Sequence, residues 1–217
     1  MKKITGAFII GSFAAALLMP LAVFAQTNKS RVVLDVPFTS QAPFGSWLQP
    51  WQDFCEEASV VMAAHFVWRL PLTPRFASKE MLIVKQYEDA ALHRDADTSA
   101  DETAQILRQL YGMKNVSVKS VGSTNDIKEE IKKGSLVIVP AAGRLLGNPH
   151  FKPPGPLYHM IPVIGFDDTK NIFITNDPGT RYGESYTYNQ QKLFTAIHDW
   201  NNGEVLKGEK KMIVVGR

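Results

Sequence analysis

The chain has 217 residues, 45% of them hydrophobic and 21% charged, a globular balance that excludes a disordered tail, a collagen-like repeat and a coiled coil. Its net charge is +3. Without Lys2 and Lys3, which belong to an expected leader, 22 basic residues face 21 acidic ones, and nucleic acid is excluded as the main partner.

The leader comes first. Lys2 and Lys3 form a basic start, an apolar run follows from Ala7 to Leu18, and Pro20 breaks it. Val23-Phe24-Ala25 supplies small residues at the −3 and −1 positions of a cleavage site. Residues 1–25 are therefore expected to be a signal peptide, 26–32 a linker, and 33–217 one domain. No later apolar segment approaches the roughly 20 residues of a membrane span, so no stable membrane insertion is expected. The mature protein is expected to be secreted or periplasmic.

The segment from Arg31 to Phe38 reads as an extended edge. A Pro- and Gly-containing loop, TSQAPFGSWLQPWQDF, then leads into CEEASVVMAAHFVWR, whose apolar spacing predicts a helix over 55–69. Pro71 and Pro74 end it, and a second helix is expected from about Ser78 to Leu92. Ser99 and Glu102 form a capping box for a third helix that Gly112 closes. A strand near 116–119, a short helix ending at Gly134, and a buried strand in SLVIVPAA follow. After a Gly/Pro loop over 143–157 come two strands, YHMIPVIGF and NIFITNDPG, joined by the turn DDTK. A helix near 190–197 and a last strand, KMIVVG, complete an α+β pattern, with helices packed on an antiparallel sheet.

Cys55 is the only cysteine, so no intramolecular disulfide can form in an exported protein. It opens a helix, which favours a thiolate by only about 0.3–1 kcal/mol, and Glu56 and Glu57 oppose that gain. A histidine can lower a thiol pKa by several units. Of the five histidines, His65 lies inside the helix, His93 and His198 follow helical segments, and His150 sits in the Gly/Pro loop. His159 opens an apolar strand. With DDTK as the turn, residue 166 lies opposite 171 and His159 opposite 177 or 178. A shift of one residue brings Asp177 to its side and turns Asn176 away. The alternative is a strand-end histidine with Asp177 capping a turn before Pro178.

The ordered motifs VPFTSQAPFGSW, CEEASVVMAAHF, DETAQILRQLYG, IKKGSLVIVPA and YHMIPVIGFDD with FITNDPG resemble the papain-like cysteine peptidases related to the bacteriocin-processing double-glycine peptidases, family C thirty-nine. The resemblance spans about residues 33–198 and implies a papain-like fold. It implies Cys55 as nucleophile, His159 as general base and acid, Asp177 as the residue that orients the imidazole, and an upstream glutamine as oxyanion donor. Gln41 matches that glutamine's context, while Gln49 and Gln52 lie nearer in sequence. The chain departs from the family's usual Gly-Pro after the cysteine, and Pro162 suggests an edge or a bulge in the His159 strand. A peptide or protein substrate, with cell-envelope material as one candidate, fits an exported hydrolase without a cofactor. Two other readings stay open: an inactive papain-like binding module, and a metal site using Cys55, His159 and Asp177, which are also zinc-ligand types. Trp47 and Trp51 are expected to be buried beneath the loop.

Overall fold

The computed structural model describes residues 1, 3, 30–92 and 97–217. The expected leader, apart from Met1 and Lys3, lies outside the described residues, as do residues 26–29 of the linker and His93. Among the described residues, an antiparallel sheet of seven strands divides the helices into two groups. Strand β1 is Arg31–Val33, so the sheet takes up the chain at Arg31, within the expected linker. The other strands are β2 (Val116–Ser120), β3 (Leu136–Ala142), β4 (Tyr158–Asp167), β5 (Ile172–Thr175), β6 (Tyr186–Asn189) and β7 (Lys211–Val215). Their order is β2-β7-β3-β4-β5-β6, and β1 continues along the β3 side of β4 where β3 has ended.

Alternation along the strands builds two cores. Leu136 and Ile138 of β3 and Met160 of β4 face one core, and Val137, Val139 and Ile161 face the other. On the first side pack α1 (Cys55–Trp68), α2 (Pro74–Tyr87) and α3 (Ala100–Gln109). The second side carries α4 (Thr124–Lys132), the single turn α5 (Gly143–Leu146) and α6 (Gln190–Ala196).

Helix α1 is buried from Cys55 to Phe66, and its N-cap Phe54 makes no side-chain cap. Val60, Val61, Met62 and Phe66 each gain about 1.5–3 kcal/mol from burial, more than the ~1 kcal/mol a cap supplies. Helix α2 starts earlier than its sequence suggests. Thr73 is its N-cap, accepting from Phe76 N–H at 3.3 Å, and Pro74 fills the first helical position instead of stopping the chain. The capping box of α3 is present, with Ser99 N–H donating to Glu102 Oε2 at 2.9 Å. Strand β6 has no counterpart in the expected elements, and the Gly/Pro loop contains α5.

The β4–β5 hairpin corrects the expected register. Asp167 pairs with Ile172 and Phe166 with Phe173, so the turn is Asp168–Asn171, one residue later than DDTK. A bulge between Val163 and Gly165 then shifts the pairing by one, and Val163 meets Thr175. Gly165 also lets β1 approach, because a Cβ there would lie 2.4 Å from Val32 O. Pro162 does not mark an edge strand, since β4 is central and Pro162 pairs with Ile138. Residues of an antiparallel strand point N–H and C=O toward the same neighbour. Pro162 C=O accepts Asn176 N–H at 2.9 Å, so its missing donor faces the β5 side just where β5 has ended.

Candidate active site

Strand β5 stops at Thr175, and the chain leaves β4 through Asn176-Asp177-Pro178-Gly179. Asn176 turns one way, donating through Nδ2 to Val36 O at 3.0 Å and accepting from Ser185 N–H at 3.1 Å. Asp177 turns the other way, and its Oδ1 lies 2.7 Å from His159 Nε2. The pair is sealed, with His159 1% and Asp177 0% exposed. It forms from the loop after the strand and not from the ladder opposition expected at 177.

Four donors converge on the Asp177 carboxylate. His159 Nε2–H and Gly179 N–H (2.9 Å) reach Oδ1, while Asn148 Nδ2–H (3.1 Å) and the Tyr188 hydroxyl reach Oδ2. Burial pushes the carboxyl's pKa up, but the His159 charge and the bonds from His159, Tyr188 and Gly179 outweigh it and hold the value below the ordinary 3.8. The imidazole packs edge-on against Phe151, with centroids 5.2 Å apart. Only glycine fits at 179, because a Cβ there would lie 2.8 Å from both His159 Cε1 and Phe151 Cε1. Asn148 and Tyr188 were not foreseen; Tyr188 lies on β6, whose four residues carry little signal.

Cys55 approaches the same strand from the edge that β5 vacates. The backbone of Met160, the residue after His159, lies close enough to the thiol to favour its charged form, and its C=O accepts Ser59 Oγ–H at 3.2 Å. The first turn of α1 thus caps the open edge of β4 beside His159. The thiol's own proton goes to Glu56 Oε2 at 2.9 Å and not to the imidazole. Cys55 is 5% exposed. Burial first, then the charges of Glu56 and Asp97, push its pKa well above 9.0, against the Met160 bond. Burial and the acidic neighbours together favour the protonated thiol in this arrangement.

Gln41 lies near both parts. Its backbone N–H donates to Pro178 O at 3.0 Å, beside Asp177. Its side-chain amide donates to Trp51 O (3.0 Å) and Gln52 O (2.7 Å), holding the turn Trp51–Asp53 that precedes Cys55. Both amide hydrogens are committed in this arrangement. Gln49 instead reaches Asp53 Oδ2 on the surface.

The other histidines make separate contacts. His65 is buried between Pro71 O and Glu80, exposed His150 stacks on Tyr182, and His198 Nδ1 meets Gly208 O. Trp51 is half-buried and packs edge-on with Phe54, but Trp47 is exposed, contrary to the expected burial. Among the described residues, no three His, Cys, Asp or Glu side chains gather as metal ligands. Asp177's oxygens are already filled by four donors, which disfavours the metal reading. No described helix is long and apolar enough to cross a membrane.

A sequence model of the Peptidase_C39 like family matches residues 33–204. The chain belongs to the peptidase C39-like family. The crystal structure of a provisionally named C39-like peptidase from Bacillus anthracis matches with a TM-score of 0.57 at 14% identity, covering 87% of this chain and 98% of that one. That likeness is one of fold, and it agrees with the α+β, papain-like architecture. No curated protein sequence matches the chain. Within the C39-like family, this chain carries Cys55 at the start of its central helix, His159 on β4, and Asp177 after β5.

Proposed function

We propose that this C39-like chain is an exported cysteine peptidase that hydrolyses a peptide or isopeptide bond. One observation carries the reading: the buried His159–Asp177 pair sits on β4 one residue from Met160, whose carbonyl is held by Ser59 of the turn that Cys55 opens. Asp177 takes Nε2 and leaves Nδ1 as the basic nitrogen. On substrate binding the thiol turns from Glu56 to that nitrogen and gives up its proton. The thiolate attacks the carbonyl, the imidazolium protonates the leaving amine, and water then hydrolyses the thioester. The first-turn N–H of Cys55 has no intrahelical partner and is available to the oxyanion. Gln41 joins it by exchanging one backbone carbonyl for the oxyanion. The leader ends at Ala25, so exported protein begins at Gln26 by intact mass; retained residues 1–25 would reject export by cleavage.

The protonated thiol and the committed Gln41 amide favour one second reading, an inactive binding module. A peptidyl acyloxymethyl ketone and a peptide-library digest separate the two. The peptidase reading expects the ketone to label Cys55 quickly at pH 7, and iodoacetamide only slowly. His159→Ala should abolish ketone labelling and cleavage, while His150→Ala leaves both. An unlabelled Cys55 together with an intact library would establish the binding module.

A further inference from the structure

Beside Cys55 lies a cavity of about 410 Å³, entered past Gln49 and Asp53 and floored by Glu56, Glu57, Glu88 and Thr98, with Asp97 on its wall. The described lining residues include five carboxyl groups and one ammonium, that of Lys85, which pairs with Asp89. Glu56 joins the cavity to the candidate nucleophile, since Oε2 accepts from Cys55 and Oε1 accepts Thr98 N–H at 3.1 Å. Glu57 and Glu88 face each other as a carboxyl pair. Glu88 is 3% exposed, and among the described residues no donor apart from Glu57's carboxyl reaches its buried Oε1. Burying mutually repelling carboxyls costs free energy, and a buried acceptor lacking a donor adds to that cost. A cation with several hydrogen-bond donors offsets both.

We propose that this cavity receives the lysine or arginine side chain of a peptide substrate, next to the bond cleaved at Cys55, a recognition role that rests on the peptidase reading. A long cationic side chain suits the cavity better than a metal ion. The described carboxyls do not gather at ligand spacing, whereas a flexible stem can carry an ammonium or guanidinium from the open rim to the Glu57–Glu88 floor. Charge-assisted bonds to that floor give the specificity. The cation also opposes carboxyl charge at Glu56 and Asp97, which adds to burial in keeping the thiol protonated.

Calorimetric titration of the whole chain with N-acetyl-arginine amide, its neutral isostere N-acetyl-citrulline amide, and calcium chloride tests the site. The arginine compound should bind at least about tenfold more tightly than citrulline. Glu88→Gln should abolish that preference, and Asp53→Asn at the exposed rim, a variant with little folding risk, should reduce it severalfold. Equal binding of the two amides, no binding of either at 10 mM (about the limit for a weak site), or binding of calcium alone would overturn the proposal. A peptide-library digest separates the two failures. Cleavage without enrichment of Lys or Arg at the scissile bond removes the recognition role and leaves the peptidase. Arginine-amide binding without any cleavage leaves a cation site and removes the peptidase.

Discussion

Replacing Asp177 separates loss of charge from loss of hydrogen-bond acceptors. In Asp177→Ala, three buried donors lose their acceptor outright: His159 Nε2–H, Gly179 N–H and the Tyr188 hydroxyl. Asn148 Nδ2 keeps its bond to the Tyr188 oxygen at 2.9 Å. At about 1–3 kcal/mol for each orphaned donor, with some relief from relaxation, the loss should be about 4 kcal/mol. That is a large part of the roughly 5–15 kcal/mol typical of a domain. Asp177→Asn keeps an oxygen toward His159 and Gly179 but turns an NH₂ toward Asn148 Nδ2 and the Tyr188 hydroxyl; the hydroxyl can rotate to accept, which leaves Asn148 as the fixed donor it meets. One donor-facing-donor conflict should cost only about 1–2 kcal/mol. Adding Asn148→Asp to Asp177→Asn supplies an acceptor for that NH₂, while the other oxygen at 148 still accepts His150 N–H. About 1 kcal/mol should return.

Urea unfolding at pH 7, followed by tryptophan fluorescence, measures each variant. With a slope near 2 kcal/mol/M, the alanine variant's midpoint should fall by about 2 M. Asp177's pKa is depressed in the fold, so its charge contributes above the unfolded value and is lost as pH falls through the folded value below 3.8. The gap between wild type and Asp177→Asn should therefore narrow in acid. Alanine and asparagine variants within 0.5 kcal/mol of each other (about the usual error), or a further loss on adding Asn148→Asp, would refute the four-donor account.

Glu88 gives the opposite pH sign. Burial raises its pKa from 4.5 to about 7, so its stabilising contribution is complete below 4.5 and disappears as pH rises toward 7. At 1.36 kcal/mol per unit, the upper limit is about 3 kcal/mol, shared with neighbouring carboxyls. Glu88→Gln should therefore flatten the fall in melting temperature between pH 5 and pH 8, and a steeper fall would contradict this. Gln41→Ala should lower peptide turnover by about 10²-fold or more. It should also cost about 1–2 kcal/mol through the freed Trp51 and Gln52 carbonyls. Stability loss with full turnover would leave Gln41 a purely structural role.

Local signals account for what was legible in the sequence. The box at Ser99/Glu102, and the apolar runs of β3 and β4, depend on neighbours in sequence and mark their elements well. Pro74 misleads because proline both ends helices and opens them, and Thr73's hydroxyl decides between the two. The hairpin's existence is plain, but its register depends on a turn placed one residue later and on a bulge at Gly165. Asp177 could still be singled out, since a carboxylate close to a histidine needs only approximate pairing. Asn148 and Tyr188 could not, because they reach Asp177 from 29 and 11 residues away. Nor could the acidic cavity, whose carboxyls come from the turn before α1, α1 itself, the C-cap of α2 and the segment before α3.

The geometry follows from how the vacated edge of β4 is satisfied. A strand that loses its neighbour exposes a row of donors and acceptors, and buried backbone groups require partners. Beyond Thr175, the β5 side of β4 presents the N–H and C=O of Met160 and the C=O of Pro162. Asn176 N–H takes the Pro162 carbonyl, and proline brings no donor that would need a partner there. The first turn of α1 takes the rest: Ser59 Oγ–H bonds Met160 C=O, and the Cys55 sulfur meets the Met160 backbone. The broken ladder is thus repaired by the start of α1, which brings Cys55 to the backbone of Met160, the residue after His159. The departing β5 segment carries Asp177 to the imidazole. Pro162, misleading as an edge signal, is the residue that lets a central strand end its pairing here without leaving an orphaned N–H.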